Sequence, residues 1–124
     1  MSIRLYIAED TDHVRTMLVD ILGLHGFEIV GAAGTGEQAV EEVDGADPDV
    51  VVMDLKLPGM DGLETAKRIR VLRPAQQVIL YSAYVDAEVE RKAREAGVAV
   101  CVPKLSGVEA LAREISAVAV DLGR

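Results

Sequence analysis

Apolar residues fall into two alternating patterns along the chain. Short apolar stretches, which are typical of buried β-strands, are each followed by a segment in which apolar residues recur every three or four positions, as in an amphipathic helix. The strand-like stretches are residues 3–8, 27–30, 50–53, 78–81 and 98–102. The sequence therefore predicts five strand–helix pairs.

The helical segments carry boundary signals of their own. Small polar residues, three of them followed by Gln or Glu three positions later, predict where helices begin, and glycine or proline predicts where they end. The predicted starts are at Thr35 with Gln38, Asp61 with Glu64, Asp86, and Ser106 with Glu109. The predicted core-facing residues are Val14, Met17, Leu18, Ile21, Leu22, Ala39, Val40, Val43, Leu63, Ala66, Ile69, Leu72, Val89, Ala93, Ala96, Val108, Leu111, Ala112, Ile115, Val118, Ala119 and Leu122.

Strict alternation of strands and helices predicts the fold class. Connections of this kind imply right-handed crossovers and a parallel sheet with helices on both faces, which is a doubly wound α/β domain. The run Val50–Met53 has no polar residue and is predicted to be a central strand. Because ligands of such sheets bind at the carboxyl ends of the strands, we expect the chemistry of the chain to lie there.

Composition narrows the classes of function. The chain has 124 residues, half of them hydrophobic, so we expect residues 1–124 to form a single domain. No apolar run approaches the roughly 20 residues that span a bilayer. A net charge of −8 disfavours binding to nucleic acids, and a single cysteine, Cys101, excludes an intramolecular disulfide. We therefore expect a cytoplasmic protein that binds neither membranes nor nucleic acids directly.

Three carboxylates follow two of the predicted strands. Glu9 and Asp10 end the first strand, and Asp54 ends the third. Mutual repulsion of three such groups at one edge of a sheet needs compensation, which a hard, oxygen-preferring cation such as Mg²⁺ provides. The alternative is that the acid pair is simply solvated, but its combination with Asp54 favours the cation site.

A hydroxyl and an ammonium group are predicted at the same edge. Ser82 ends the fourth strand and Lys104 the fifth. Transfer of a phosphoryl group depends on positioning and on electrostatic stabilisation by a metal and a cation, and a carboxylate can accept the group as an acyl phosphate. The combination therefore predicts phosphoryl chemistry with Asp54 as the nucleophile, although Ser82 and Lys104, taken singly, suit a strand cap and a solvated charge.

With these residues at its strand ends, the chain resembles the receiver domain of bacterial two-component response regulators. The resemblance rests on Glu9-Asp10, on Asp54 followed by the sequence LKLPGMDG, on Ser82 and on Lys104, and it extends over essentially the whole chain. It implies a flavodoxin-like (βα)5 fold with the strand order 2-1-3-4-5.

The resemblance also implies roles for the acidic residues. Asp54 would accept a phosphoryl group from a sensor histidine kinase or a histidine phosphotransfer protein. Asp10 and Asp54 would bind Mg²⁺, for which Mn²⁺ can substitute, while Glu9 would bind it through water and Lys56 through its backbone carbonyl. The chain would catalyse only its own phosphorylation and dephosphorylation and would not be an enzyme for other substrates.

The remaining implied roles concern the switch. Ser82 would hydrogen-bond one phosphoryl oxygen and Lys104 would pair with another. Phosphorylation would then reshape the surface formed by the fourth helix, the fifth strand and the fifth helix, which would bind a downstream effector protein or an output domain. Homodimerisation through the same face is a further alternative.

The chain departs from the family pattern at two places. Cys101 stands where an aromatic switch residue is common, and we expect it to be a buried thiol that cannot act as a rotameric switch. Leu105 follows Lys104 where proline is common, so we predict a trans peptide bond between them. Lys56 and Tyr84 stand where side chains flank the path of the hydrolytic water, which they would either shield or position, unless they are merely exposed.

Three other functions remain open at this stage. The fold could serve as a pseudo-receiver, which binds proteins without being phosphorylated. A phosphohydrolase of the haloacid-dehalogenase type would need an aspartate where Lys56 stands, and an FMN-binding flavodoxin would need a phosphate loop where Glu9-Asp10 stands. We expect no output domain in residues 1–124, either because the receiver stands alone or because it comes from a longer regulator.

Overall fold

Strands and helices alternate throughout the computed structural model, which describes residues 2–120. In chain order the elements are β1 (Arg4–Ala8), α1 (Asp12–Leu24), β2 (Glu28–Ala33), α2 (Gly36–Ala46), β3 (Val50–Met53), α3 (Gly62–Leu72), β4 (Gln77–Ser82), α4 (Ala87–Glu95), β5 (Val100–Pro103) and α5 (Gly107–Val120), with a 3₁₀ turn at Lys104–Ser106 before α5. The five predicted strand–helix pairs are confirmed.

All five strands are parallel and form one sheet in the order β2-β1-β3-β4-β5. The doubly wound fold and the strand order that the family resemblance implied are therefore both confirmed. In register, Ala8 pairs with Met53 and Met53 with Leu80, so β1, β3 and β4 end close to one level. This alignment brings the residues that follow the strands to one edge.

The core has one layer on each face of the sheet. Successive strand residues point to opposite faces, so Val51 and Met53 belong to one layer and Val50 and Val52 to the other. The first layer includes residues of α2, α3 and α4, and the second includes residues of α1 and α5. β3 is buried at every position, as predicted for a central strand.

The predicted helix starts are largely confirmed. The side chains of Thr35, Asp61 and Asp86 each accept a hydrogen bond from the backbone N–H three residues later. α5 begins at Gly107, directly after the predicted start at Ser106, which also ends the preceding 3₁₀ turn. The φ of 87° at Gly107 lies in the region that glycine favours.

Two residues predicted to face the core lie at the surface instead. Leu72 is 53% exposed because α3 ends at this residue, and Met17 is 40% exposed on α1. A periodic apolar stripe predicts the buried face of a helix but not how far the neighbouring layer extends over it. Leu122 lies outside the described residues. Within residues 2–120, no helix has the length and hydropathy that crossing a membrane requires.

Candidate functional site

Three carboxylates converge at the carboxyl edge of the sheet. Glu9 follows β1 and Asp54 follows β3, and the Asp54 N–H donates to the carbonyl of Ala8 at 3.0 Å. One oxygen from each of Glu9, Asp10 and Asp54 lies within 4.8 Å of the other two. Glu9 is only 2% exposed and Asp54 only 6%, whereas Asp10 is exposed to solvent.

Lys104 is the cation that the structure places against these acids. Its Nζ donates to Glu9 Oε1 at 2.6 Å and to Asp54 Oδ2 at 2.9 Å. Lys104 is the first residue of the 3₁₀ turn after β5, two strands away from β3, and its side chain reaches across the end of β4. One ammonium group therefore compensates two buried carboxylates.

Burial and charge act in opposite directions on this group of residues. Burial raises the pKa of Glu9 and the nearby charge of Asp54 raises it further, while hydrogen bonds from Lys104 and from the Thr11 N–H oppose the change. Burial acts to lower the pKa of Lys104, but its hydrogen bonds to Glu9 and Asp54 outweigh that effect and raise its pKa. Lys104 is therefore held as an ammonium ion.

Ser82 is the last residue of β4 and is fully buried. Its Oγ accepts a hydrogen bond from the Tyr84 N–H at 3.1 Å, and in the sheet it pairs with Pro103, the residue before Lys104. Lys104 thus comes directly after the residue of β5 that pairs with Ser82, which places both at the same level of the sheet edge. The hydroxyl retains its own proton for donation to another acceptor.

The loop after β3 wraps closely around Asp54. The Lys56 N–H donates to Asp54 Oδ1 at 3.3 Å, and the Gly62 N–H donates to the Leu55 carbonyl at 2.8 Å. A Cβ at Gly62 would collide with the Asp54 carbonyl oxygen, so this approach requires glycine. Gly59 has a φ of 73°, which also favours glycine.

Two side chains meet at the rim of the site. Lys56 Nζ lies over the ring of Tyr84, 4.9 Å from its centroid, which is the geometry of a cation–π contact. Tyr84 is 59% exposed and Leu105 is 99% exposed. The peptide bond between Lys104 and Leu105 is trans, as predicted, since no cis bond occurs within the described residues.

Two residues that sequence reasoning missed also contact this region. Arg15 of α1 donates from Nη1 to the Glu9 carbonyl at 2.7 Å, and Glu37 of α2 accepts a hydrogen bond from the Met60 N–H at 3.3 Å. Each comes from a helix whose periodic pattern marks only its apolar residues. For Arg15 the sole available signal was its place in the first turn of the helix that follows the acidic pair, and the sequence offers no such signal for Glu37.

Cys101 differs from its prediction because it is only partly buried. It lies in β5, the edge strand of the sheet, and packs against the core layer that includes α4. Edge strands have a neighbouring strand on one side only, which leaves the thiol some contact with solvent. Burial still raises the pKa of Cys101, so its thiol is the dominant form at neutral pH.

The donor set at the sheet edge fits a hard divalent cation. All three side chains offer carboxylate oxygens, which Mg²⁺ prefers, and they lie close enough to share one ion. The exposed position of Asp10 also leaves room for the water ligands that Mg²⁺ usually retains. Lys104 supplies positive charge beside them through its contacts with Glu9 and Asp54.

Comparisons with known proteins agree on one family. The family model for the response regulator receiver domain matches residues 5–116. The chain is 42% identical over 94 residues to the transcriptional regulatory protein PdtaR of Mycobacterium tuberculosis, a match that covers 76% of this chain and 45% of that protein. It is 37% identical over 97 residues to the chemotaxis protein CheY of Bacillus subtilis, covering 78% and 81% of the two chains.

Solved structures give the same result. A DNA-binding response regulator of the LuxR family from Staphylococcus aureus superposes with a TM-score of 0.87 at 32% identity, covering 94% of this chain and 98% of that one. The chain spans less than half the length of PdtaR, to which it is also similar. The family match includes every residue of the acidic site and Lys104. This chain belongs to the response regulator receiver domain family.

Proposed function

We propose that this receiver domain is a phosphorylation-dependent signalling switch in which Asp54 accepts a phosphoryl group from a sensor histidine kinase or a histidine phosphotransfer protein. The observation that carries the proposal is the ammonium of Lys104, which contacts Asp54 Oδ2 at 2.9 Å and Glu9 Oε1 at 2.6 Å. A pseudo-receiver would not need a cation and an acidic cluster around one buried aspartate.

Mg²⁺, or Mn²⁺ in its place, is the cation that we propose for the acidic cluster. Asp10 and Asp54 would bind it directly, Glu9 through water and Lys56 through its backbone carbonyl. When bound, the ion neutralises the negative charge that the phosphoryl oxygens bring to the site. The three carboxylates within 4.8 Å of one another support this ligand set.

The proposed transfer is a displacement at phosphorus. A carboxylate oxygen of Asp54 attacks the phosphorus atom of the donor phosphohistidine, the P–N bond breaks, and the imidazole leaves with the electron pair of that bond. An acyl phosphate remains on Asp54. Ser82 then donates its hydroxyl proton to one phosphoryl oxygen and Lys104 pairs with another, so that the new charge is stabilised by groups already held at the site.

The signal would leave through α4, β5 and α5. Ser82 Oγ accepts a hydrogen bond from the Tyr84 N–H in the loop before α4, so a movement of Ser82 toward the phosphoryl group would draw that loop inward with it. We propose that the altered face binds an effector protein or an output domain, and that homodimerisation through this face is one form of output. On α4, Arg91 pairs with Glu95 at 3.0 Å and Lys92 with Glu88 at 3.5 Å, so its charges are available for exchange with a partner.

The location of the protein in the cell and the kind of partner it binds belong to the same proposal. We propose that residues 1–124 act as one receiver domain in the cytoplasm, where histidine kinases deliver phosphoryl groups, and that the chain has no external substrate. It would act through proteins and make no direct contact with nucleic acid.

A sizing column run with and without a phosphoryl mimic tests homodimerisation through the face formed by α4, β5 and α5, and an unchanged monomer would exclude it.

Beryllofluoride, which mimics a phosphoryl group on a carboxylate, tests the site without depending on a particular donor. Fluorine NMR of the protein with Mg²⁺ and beryllofluoride should show bound resonances that disappear with EDTA and in Asp54→Asn. Asp61→Asn is a matched control, because Asp61 is an exposed carboxylate that caps α3 outside the acidic cluster. Absence of bound resonances from the wild type would favour the pseudo-receiver.

A further inference from the structure

The two acidic residues between β1 and α1 differ in how they are held: Glu9 is hydrogen-bonded throughout, whereas the Asp10 carboxylate is not. Every polar group of Glu9 has a partner: its N–H donates to the Ala33 carbonyl at 2.9 Å, its carboxylate accepts from Thr11 and Lys104, and its carbonyl accepts from Arg15. Within residues 2–120, the neighbouring Asp10 carboxylate has neither a hydrogen bond nor an ion pair. Where that carboxylate lies therefore depends on its own rotamer and on the backbone that carries it.

Arg15 makes a hydrogen bond to the Glu9 carbonyl oxygen, which belongs to the backbone that carries Asp10. The Glu9 carbonyl oxygen and the Asp10 Cα belong to the same peptide unit, whose six atoms lie in one plane. The hydrogen bond from Arg15 Nη1 to this oxygen, at 2.7 Å, therefore fixes the orientation of the peptide plane that contains the Asp10 Cα. The side chain of Thr11, the residue before α1, makes no capping hydrogen bond that could do the same.

The guanidinium group is itself fixed in place. Its Nη2 donates to Asp12 Oδ1 at 2.6 Å, while its Nη1 donates to the carbonyl, so the planar fork is used on both sides. Gly34, after β2, leaves the space for it, since a Cβ at that position would lie 3.1 Å from Nη1. Only 24% of the Arg15 side chain is exposed, although its partner Asp12 is 90% exposed.

We infer that Arg15 is a positioning residue for the divalent cation: it orients Asp10 through the Glu9 carbonyl and so raises the affinity of the acidic site for the ion. The inference rests on the proposed function, because it assumes that Asp10 is a ligand. Arg15 would touch neither the ion nor the phosphoryl group. Its loss should therefore weaken ion binding while leaving the chemistry at saturating Mg²⁺ intact.

The test compares Arg15→Met with Arg68→Met. Both arginines form one ion pair within their helix, Arg15 with Asp12 and Arg68 with Glu64, and both substitutions remove one positive charge. Only Arg15 also holds a backbone carbonyl at the site. Loss of groups that orient a metal ligand typically costs about 10- to 100-fold in affinity, and for a group one step further away we expect about 3- to 10-fold.

The readout is the dissociation constant for Mn²⁺, measured by electron paramagnetic resonance of the free ion. We expect Arg15→Met to weaken binding by about 3- to 10-fold, Arg15→Lys, which retains one donor and the charge, by less than about threefold, and Arg68→Met by less than about twofold. In parallel, Arg15→Met should raise the Mg²⁺ concentration for half-maximal phosphorylation by acetyl phosphate without lowering the plateau rate.

The outcomes separate the inference from the proposed function. Wild-type protein that binds no Mn²⁺ would overturn both. Tight binding by wild type and equally tight binding by Arg15→Met would overturn only the role of Arg15. Equal weakening in Arg15→Met and Arg68→Met would also overturn it, because net charge would then be the cause. If Arg15→Met does not fold, judged by its far-ultraviolet circular dichroism, Arg15→Gln replaces it, since the shorter neutral side chain also removes the guanidinium donor to the Glu9 carbonyl and should weaken Mn²⁺ binding more than about twofold.

Discussion

Replacement of Lys104 by methionine should destabilise the domain by leaving two buried carboxylates without their cation. Glu9 is 2% exposed and Asp54 is 6% exposed, and both lose the same partner. Truncating one member of a buried ion pair costs about 3–5 kcal/mol. Because 27% of the Lys104 side chain is exposed, water screens part of this interaction, and we expect a loss of about 2–4 kcal/mol at pH 7.

The assay is urea unfolding in EDTA, followed by far-ultraviolet circular dichroism. Lys67→Met is the matched control, since Lys67 is exposed on α3, and it should change the unfolding free energy by less than about 0.5 kcal/mol. Asp54→Asn added to Lys104→Met should recover stability, because it removes one of the two uncompensated charges. Mg²⁺ at about 100 times its dissociation constant should return about 2.7 kcal/mol.

The loss should also depend on pH. The pKa of Lys104 is raised, so its contribution is fully present at pH 7 and would fade only as the pH rises through that raised value. At acidic pH, protonation of Glu9, whose pKa is raised by burial, removes one negative partner, and the difference between wild type and Lys104→Met should shrink. A difference below about 0.5 kcal/mol in EDTA at pH 7 would refute the assignment of Lys104 as the compensating cation.

Two other predictions concern the rim of the site and the far side of the domain. If the Lys56–Tyr84 pair shields the acyl phosphate, Tyr84→Ala and Lys56→Met should each shorten its lifetime about two- to fivefold, measured as loss of the phosphorylated mass, and an unchanged lifetime would mean that both are merely exposed. His25 makes a hydrogen bond through Nδ1 with the Ile21 carbonyl, and its Nε2 lies 3.4 Å from Glu109. These contacts raise its pKa against the opposing effect of burial. Protonated His25 should therefore stabilise the fold below the pKa that it has in the unfolded chain, and this contribution should fade as the pH rises through its pKa in the folded protein. We expect His25→Gln to cost more unfolding free energy at pH 5.5 than at pH 8.5. An equal cost at the two pH values would contradict this.

The sequence was sufficient to predict the fold and the convergence of the acidic residues. Parallel strands place their carboxyl ends at one edge, so the strand–helix order predicted Glu9 and Asp54 at the same edge, and the strand order that the family resemblance implied placed β1 beside β3. These features depend on local pattern and on general topology.

Contacts made by long polar side chains could not be predicted in the same way. Lys104 is 95 residues from Glu9 in the sequence, and its double contact depends on the reach of its side chain across β4. Arg15 lies on the partly exposed side of α1, where periodicity carries no information about polar partners. The exposure of Leu72 and Met17 depends on how far the neighbouring layer extends, which the pattern of one segment does not specify.

The central claim is that Asp54 accepts a phosphoryl group in a cation-dependent reaction. The most direct test is to incubate the protein with acetyl phosphate and Mg²⁺ and to measure its intact mass, with EDTA and with Asp54→Asn as controls. We predict one added phosphoryl group that requires Mg²⁺ and is absent from Asp54→Asn. An added group that persists in Asp54→Asn, or no added group either with acetyl phosphate or with a phosphorylated histidine donor protein, would contradict the account.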